Sequence, residues 1–298
     1  MVPCLFGADV SKLFSGERVL VTGAGGFVGR HLCRRLVDLQ ANVVAADCCS
    51  PEVAESLPGF IQVDISEFDD VRVLGGVEPT LVFHLAAAGA SDPYLDVAAA
   101  LRVNVLGTVN LLHVLSGSAL VVVARTAAER KASSPYAASK AASWKFCRMY
   151  ARSNGWPVRG ATLFQCYGAG QSENNVIPAV LSAARLGRRF PLSPGEQVRD
   201  WVSVEDVVSG LLAVAQSDLA AAESIEIGTG KGTSLSDTVQ MIFDLGGGDG
   251  SPLFGALPYR RGEDMYTVAD SELTERRTGW RAKIGLMEGL SALVRTGA

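Results

Sequence analysis

The sequence predicts a doubly wound α/β fold, a parallel sheet covered by helices, followed by a smaller mixed α/β lobe. Three observations lead there. Short, nearly all-apolar runs alternate with stretches of helical periodicity through the first half of the chain, the pattern of strands buried on both faces. A glycine-rich turn joins the first such run to the first helix. After about residue 165 the segments shorten, and glycine, proline and polar residues increase.

The elements follow in order. "RVLVTG" (18–23) reads as a buried strand, and "FVGRHLCRRLVDLQ" (27–40) has apolar residues at helical spacing. "NVVAAD" (42–47), "FIQVDI" (60–65) and "TLVFHLAA" (80–87) are the second to fourth strands. A long helix is expected over 92–116, weakened near Gly107. "ALVVVA" (119–124) is a fifth strand, 134–155 a long helix with Pro135 in its first turn, and "WPVRGATLF" (156–164) a sixth strand. Beyond it, 174–187 reads as a helix, 196–216 as a short strand then a helix, and 223–248 as strand, glycine turn and helix; 246–251 is a loop. These later segments are too short to hold a core alone. The expected organisation is a nucleotide-binding domain over 1–165 and a lobe over 166–298, discontinuous, with some elements returning to the main sheet.

Composition narrows the function classes. The 298 residues are 48% hydrophobic and carry a net charge of −4 from 27 basic and 31 acidic side chains. That balance gives no sequence-independent attraction to nucleic acid or to an anionic membrane, so any anionic ligand must be held by a few placed groups. No apolar run reaches about 18 residues, so no membrane span is expected. The opening residues show no basic segment followed by an apolar block, and a cytoplasmic location is expected. Cys4, Cys33, Cys48, Cys49, Cys147 and Cys166 are scattered and read as reduced thiols. His31, His84 and His113 show no ligand spacing, so no metal is expected.

In "VLVTGAGGFVGRHL", Gly23, Gly26 and Gly29 are spaced three apart between the first strand and the first helix. The tight turn and the close helix–strand approach need residues without a Cβ, and the helix N-terminus offers free N–H groups to a pyrophosphate. This is the Rossmann dinucleotide arrangement. Asp47 closes the second strand, 18 residues past Gly29, where a carboxylate can accept both ribose hydroxyls and repel a 2′-phosphate. No arginine follows it, so NAD is expected, with NADP possible. Asp64 could accept from the adenine amino group or cap the helix expected from Ser66.

"RTAAERKASSPYAASK" places Thr126 ten residues before Tyr136, and Lys140 one helical turn after it. A free phenol, with a pKa near 10, is a poor base at neutral pH. A nearby ammonium and an oxidised nicotinamide would both favour the phenolate. Thr126 follows the fifth strand, at the carboxyl edge where such sheets bind ligands. Its hydroxyl could donate to a carbonyl or alkoxide while Tyr136 moves the proton.

Together "TGAGGFVG", "HLAA", "NVLGTVNLL", "PYAASK" and "RDWVSVEDVV" resemble the extended short-chain dehydrogenase/reductases that act on nucleotide-diphosphate sugars, and the resemblance spans essentially the whole chain. It implies Thr126, Tyr136 and Lys140 as the catalytic trio. Cofactor contacts are implied for Gly23, Gly26, Phe27, Val28, Gly29, Asp47, Asp64, Ile65, Leu85, Ala86, Ala87, Asn104, Tyr136 and Lys140, with Asn104 in a supporting position and His84 either lining the cofactor or a satisfied core histidine. Asn175, Arg199 and Arg260 are implied to meet the sugar nucleotide alongside Thr126, although Arg199 could instead pair with Asp200. A nucleotide-diphosphate hexose in the cleft against the C-terminal lobe, and a homodimer formed through the two long helices, are also implied.

Departures from that family sharpen the reading. Ala127 and Ala128 stand where the similar 4,6-dehydratases carry Asp-Glu, so dehydration is disfavoured. Many 4-epimerases have small residues there but continue Val-Tyr-Gly, where this chain has Glu129-Arg130-Lys131. The short stretch from Thr126 to Tyr136 is more similar to 4-ketoreductases of the CDP-abequose synthase type. Reduction of a nucleotide-diphosphate 4-keto-6-deoxyhexose at C4 is the leading expectation. A 4-epimerase with retained NAD, which suits Asp47 better, is the alternative, and a non-catalytic dinucleotide-binding scaffold the remote one.

Overall fold

The computed structural model describes residues 13–296 except 91, 93, 94 and 118. Its central element is a seven-stranded parallel sheet flanked by helices. In chain order the strands are β1 (Arg18–Thr22), β2 (Asn42–Asp47), β3 (Ile61–Gln62), β4 (Leu81–His84), β5 (Leu120–Thr126), β6 (Val158–Leu163), β7 (Gln165–Tyr167), β8 (Arg189–Pro191), β9 (Val198–Ser203), β10 (Ser224–Ile227), β11 (Gly232–Ser234), β12 (Ser251–Leu253) and β13 (Tyr266–Thr267). The central sheet runs β10-β6-β5-β4-β1-β2-β3. The chain winds outward from β1 through β2 and β3, then returns to build the other half from β4. The order therefore reverses between β1 and β4, whose last residues, Thr22 and His84, stand side by side. Ligands of open parallel sheets bind outside the carboxyl ends of the strands at such a point.

Two compact units share the chain. The first comprises 1–162, 208–225 and 273–280; the second comprises 163–207, 226–272 and 281–298. Leu20, Val82, Val121, Leu111, Trp144 and Val158 are part of the first unit's core. In the second unit, β7, β11 and β13 each pair with β9, while β8 and β12 pair separately. Helices Val176–Arg185, Leu235–Gly246 and Leu286–Thr296 bury Leu181, Ile242 and Leu290 around Tyr167 and Trp201. Asp200 ties this unit together: wholly buried, it accepts from the N–H groups of Thr229, Gly230 and Ala269 and from the Thr229 hydroxyl.

Two expected elements come out differently. The third strand contracts to Ile61–Gln62. Helix Val97–Leu115 is not weakened at Gly107, whose φ of −57° is helical. A Cβ there would lie 2.7 Å from Ile65 Cγ1, so the glycine serves packing. The expected irregularity near Gly107 is the π-helical segment Leu101–Leu106 that ends against it. That helix is long and apolar enough, by length and composition alone, to cross a membrane; soluble core helices meet the same criterion, and Asn104, Thr108 and Asn110 on it are buried. Helix Pro135–Asn154 starts where expected, with Ser134 accepting from the Ala137 N–H, and stops at Gly155 in the left-handed region.

Candidate active site

In the first unit the glycine turn forms a cradle with no room for side chains. Gly23 has φ +72°, and a Cβ on it would lie 2.5 Å from the Ala86 nitrogen at the end of β4. A Cβ on Gly29 would lie 2.1 Å from the Gly23 oxygen. The helix that follows, Phe27–Asp38, begins at Gly26 with no side-chain cap and no acidic residue in its first turn. Its N-terminal dipole and the N–H groups of Phe27, Val28 and Gly29 are thus left to an outside anion. Asp47, at the end of β2, accepts from the Gly25 N–H at 2.9 Å through Oδ2, beside the same turn. These features fit a dinucleotide. Leu85, Ala86 and Ala87 continue β4 past its last residue, with the Leu85 N–H bonded to Thr22 O.

Other expected cofactor residues sit differently. Asp64 Oδ1 accepts from both the N–H and the hydroxyl of Ser66, closing a local turn rather than capping the next helix, which starts at Phe68. Ile65 is buried, its side chain packed beside Gly107. Asn104 is buried, and its amide is committed: Oδ1 accepts from Ala88 N–H at 2.8 Å, and Nδ2 donates to Ala88 O at 3.0 Å and Ser139 Oγ at 2.9 Å. Ser139 in turn donates to the Tyr136 carbonyl at 2.9 Å. Asn104 therefore clamps the wall of the cradle to the Tyr136 helix, a supporting position. His84 is the core histidine of the two readings: Nδ1 meets Thr22 Oγ1 at 2.8 Å and Nε2 meets Thr108 Oγ1 at 2.9 Å. Burial, with the Lys140 charge adding, pushes its pKa down to about 3.

Thr126, Tyr136 and Lys140 converge at the carboxyl end of β5. Thr126 is the last residue of the strand rather than beyond it, and it opens a 3₁₀ turn, Ala127–Arg130. Its hydroxyl is near enough to Tyr136 to favour the ionised phenol. Lys140, one turn along the helix from Tyr136, is 4% exposed. Burial lowers its pKa, and the Glu129 charge opposes that. In the polypeptide itself burial first, then Glu129, push the Tyr136 phenol up to about 12, and Thr126 only partly offsets them; the oxidised nicotinamide expected to lower it is a separate, opposing charge.

Glu129 is the residue that motif matching overlooked. Its side chain is 4% exposed. Oε1 accepts from the Thr126 N–H at 3.0 Å while the Thr126 hydroxyl accepts from the Ala128 N–H at 3.3 Å, a reciprocal capping box. Oε2 accepts from Arg125 Nη2 at 2.6 Å and Nε at 3.1 Å, and the Arg125 guanidinium lies 4.7 Å from the Trp144 ring centroid. The T-x-x-E spacing, 126 to 129, was the signal in the sequence.

The expected sugar-nucleotide residues other than Thr126 lie in the second unit. Asn175 is the N-cap residue of Val176–Arg185 without a side-chain cap bond, and its Nδ2 donates to Ser172 O at 3.2 Å. Arg199 does not pair with Asp200; its guanidinium donates to Val198 O and forms an ion pair with Glu263. Glu263 closes a turn onto the carbonyl of Arg260, whose side chain is exposed, so both arginines belong to one neighbourhood. Cys33, Cys48, Cys49, Cys147 and Cys166 are free thiols, and Cys4 lies outside the described residues.

Comparison with known proteins places this geometry. Residues 19–228 match the model of the NAD dependent epimerase/dehydratase family. The chain is 28% identical to a dTDP-glucose 4,6-dehydratase of Streptomyces griseus, over 93% of this chain and 92% of that one. It is 27% identical to a GDP-6-deoxy-D-mannose reductase of Pseudomonas aeruginosa, over 93% and 96%. The crystal structure of a Thermus thermophilus UDP-glucose 4-epimerase in complex with NAD superposes with a TM-score of 0.80 at 27% identity, covering 93% of this chain and 98% of that one. Dehydratase, reductase and epimerase thus stand at similar distance.

Proposed function

The chain belongs to the NAD-dependent epimerase/dehydratase family, whose members are NAD(P)-dependent enzymes, and from that premise we propose that it reduces a nucleotide-diphosphate 4-keto-6-deoxyhexose at C4. The observation behind this choice is the short turn that Thr126 opens, Ala127–Arg130, in which no carboxyl group is left free. Tyr136 supplies the proton that carbonyl reduction requires. Dehydration needs free carboxyl groups in the turn after Thr126. Ala127 and Ala128 have none, and both oxygens of Glu129 are engaged by Thr126 and Arg125.

In the proposed reaction Thr126 and Tyr136 hydrogen-bond the C4 carbonyl oxygen and polarise it. NAD(P)H, when bound, supplies the hydride to C4. Tyr136 gives its proton to the oxygen as C4 becomes tetrahedral, and the phenolate left behind is stabilised by the Lys140 ammonium until solvent returns the proton. The glycine cradle and the uncapped helix would hold the cofactor pyrophosphate, and Asp47 the adenosine ribose, which favours NAD over NADP. Arg199, already oriented onto a carboxylate, would with Arg260 and Asn175 hold the sugar diphosphate. A homodimer through helices Val97–Leu115 and Pro135–Asn154 is supported by the exposed apolar side chains of Leu101, Leu106, Phe146 and Met149.

The alternative is a 4-epimerase that retains NAD, favoured by the placement of Asp47. One experiment separates them. The purified, untreated protein is analysed by absorbance and mass for bound nucleotide, then given an NDP-4-keto-6-deoxyglucose with NADH or NADPH. Consumption of reduced cofactor only when the keto-sugar is present establishes the reductase. Stoichiometric NAD released only on denaturation, with no consumption, establishes the epimerase.

A further inference from the structure

Behind the glycine turn lies a chain of buried polar side chains that the proposed reaction does not use. Thr22, His84, Asn104, Thr108, Ser139 and Ser143 are each 2% exposed or less. They come from β1, β4 and the two long helices of the first unit. Thr22 Oγ1 meets His84 Nδ1 at 2.8 Å, and His84 Nε2 meets Thr108 Oγ1 at 2.9 Å. Ser143 Oγ, on the Tyr136 helix, donates to Thr108 Oγ1 at 2.9 Å, and Thr108 donates to the Asn104 carbonyl at 2.7 Å. Asn104 Nδ2 donates to Ser139 Oγ, which donates to the Tyr136 carbonyl. A buried network whose members are all satisfied makes its surroundings rigid and fixes one arrangement of them. The Thr108 bond to the carbonyl four residues earlier falls where the helix takes its π form, Leu101–Leu106, a distortion often found at functional sites.

Counting hydrogens gives the chain a direction. A threonine hydroxyl has one hydrogen to give, and Thr108 spends it on the Asn104 carbonyl, which can only accept. Thr108 therefore accepts from both Ser143 and His84, so Nε2 of His84 carries a hydrogen. Burial, with the Lys140 charge adding, keeps the ring neutral. Nδ1 is then bare and accepts from the Thr22 hydroxyl. The other tautomer would set two lone pairs against each other across the 2.9 Å between Nε2 and Thr108 Oγ1. The donors thus run from Thr22, the residue before Gly23, through His84 to the hub at Thr108, which Ser143 of the Tyr136 helix also grips. We propose that His84, as the neutral Nε2–H tautomer, is a positioning residue that sets the helix bearing Tyr136 and Lys140 in register with the dinucleotide turn. The inference rests on the reading that Tyr136 and Lys140 meet the nicotinamide half of the cofactor, and it adds what keeps that half aligned with the pyrophosphate half.

Two measurements test it. Long-range proton–nitrogen NMR correlation of the His84 imidazole reads the tautomer: a protonated Nε2 and a bare Nδ1 are expected, and a hydrogen on Nδ1 overturns the proposal. Calorimetric titration with ADP and with NAD reads the register, because ADP needs only the glycine turn and Asp47 whereas NAD must also meet the Tyr136 helix. The wild-type protein should bind NAD the more tightly; equal affinities would show that the helix adds nothing to cofactor binding and overturn the proposal. His84→Leu, which fills the space and bonds neither threonine, should lose about tenfold in NAD affinity, within the range shown by residues that couple two sites, and keep its affinity for ADP. A merely structural loss would fall on both nucleotides alike, and that result, or an unchanged NAD affinity, overturns the proposal. His84→Gln, whose amide can donate to Thr108 as Nε2 does, should recover part of the loss; a Gln variant as weak as Leu assigns the effect to ring packing and also overturns it. Should His84→Leu not fold, Ser143→Ala cuts only the strut between Thr108 and the Tyr136 helix, and the same selective loss of NAD affinity is expected. No sugar substrate enters either measurement. A chain that failed to reduce the keto-sugar would still report on His84, and a working reductase whose NAD affinity ignored His84 would sink this inference alone.

Discussion

Replacing Asn104 by alanine tests whether the cradle and the Tyr136 helix are one mechanical unit. The change removes three hydrogen bonds in which the amide holds both backbone groups of Ala88 and the hydroxyl of Ser139. Ser139 keeps its bond to the Tyr136 carbonyl, so the groups stranded are the N–H and C=O of Ala88. A buried polar group left without a partner costs ~1–3 kcal/mol. Two give about 2–6 kcal/mol, and a water entering the space vacated by the amide can serve one of them, which brings the expected loss to about 3 kcal/mol. That is a large share of the 5–15 kcal/mol that holds most domains together. Urea unfolding of the two proteins measures it, and calorimetric titration with NAD measures the accompanying loss of cofactor affinity, expected because Ala88 continues the Leu85–Ala87 wall. A destabilisation below about 1 kcal/mol with unchanged NAD affinity would show that the clamp is not what positions the wall.

Two further predictions concern the same unit. His84 is buried neutral, its pKa lowered from 6.5 to about 3; because the folded value is the lower, the unfolded chain binds the extra proton between them, so this contribution is full above about 6.5 and is lost as pH falls toward 3. His84→Gln should flatten the dependence of Tm on pH in that window, and equal slopes in the two proteins would refute the assignment. Gly29→Ala puts a Cβ 2.1 Å from the Gly23 oxygen; it should weaken NAD binding by at least about tenfold, ~1.4 kcal/mol, and wild-type affinity would mean the turn has room to give.

What could be read from the sequence was whatever is local. Gly23, Gly26 and Gly29 declare a turn because their spacing and their place between an apolar run and a periodic one are visible in a short window. Tyr136 and Lys140 declare a shared helix because four residues is one turn. Pro135 and Gly155 fix its ends to the residue, since φ preferences are intrinsic. The π form of Leu101–Leu106 was not legible: nothing in "LRVNVL" departs from ordinary helical residues, and it became visible only with the structure, where Asn104 reaches across to Ala88 and Ser139. The second unit was read least well. β7, β8, β12 and β13 are two or three residues long, too short for alternation to register. The alternative for Arg199, a pair with its neighbour Asp200, fails because adjacent strand residues point to opposite faces, and Asp200 is spent on the backbone of a loop some thirty residues away.

Glu129 shows where reading by resemblance stops. Against the family pattern it registers only as a departure, because the comparison asks whether the expected Asp-Glu or Val-Tyr-Gly is present and has no place for a carboxylate one residue further on. Physical spacing asks a different question. A threonine followed three residues later by glutamate is a helix-start signature in any family, and an arginine one position before the threonine supplies the cation a buried carboxylate requires. Together they predict a carboxylate that is held rather than free. Free, it could have replaced the missing dehydratase acid; held by Arg125 and by the Thr126 N–H, it cannot.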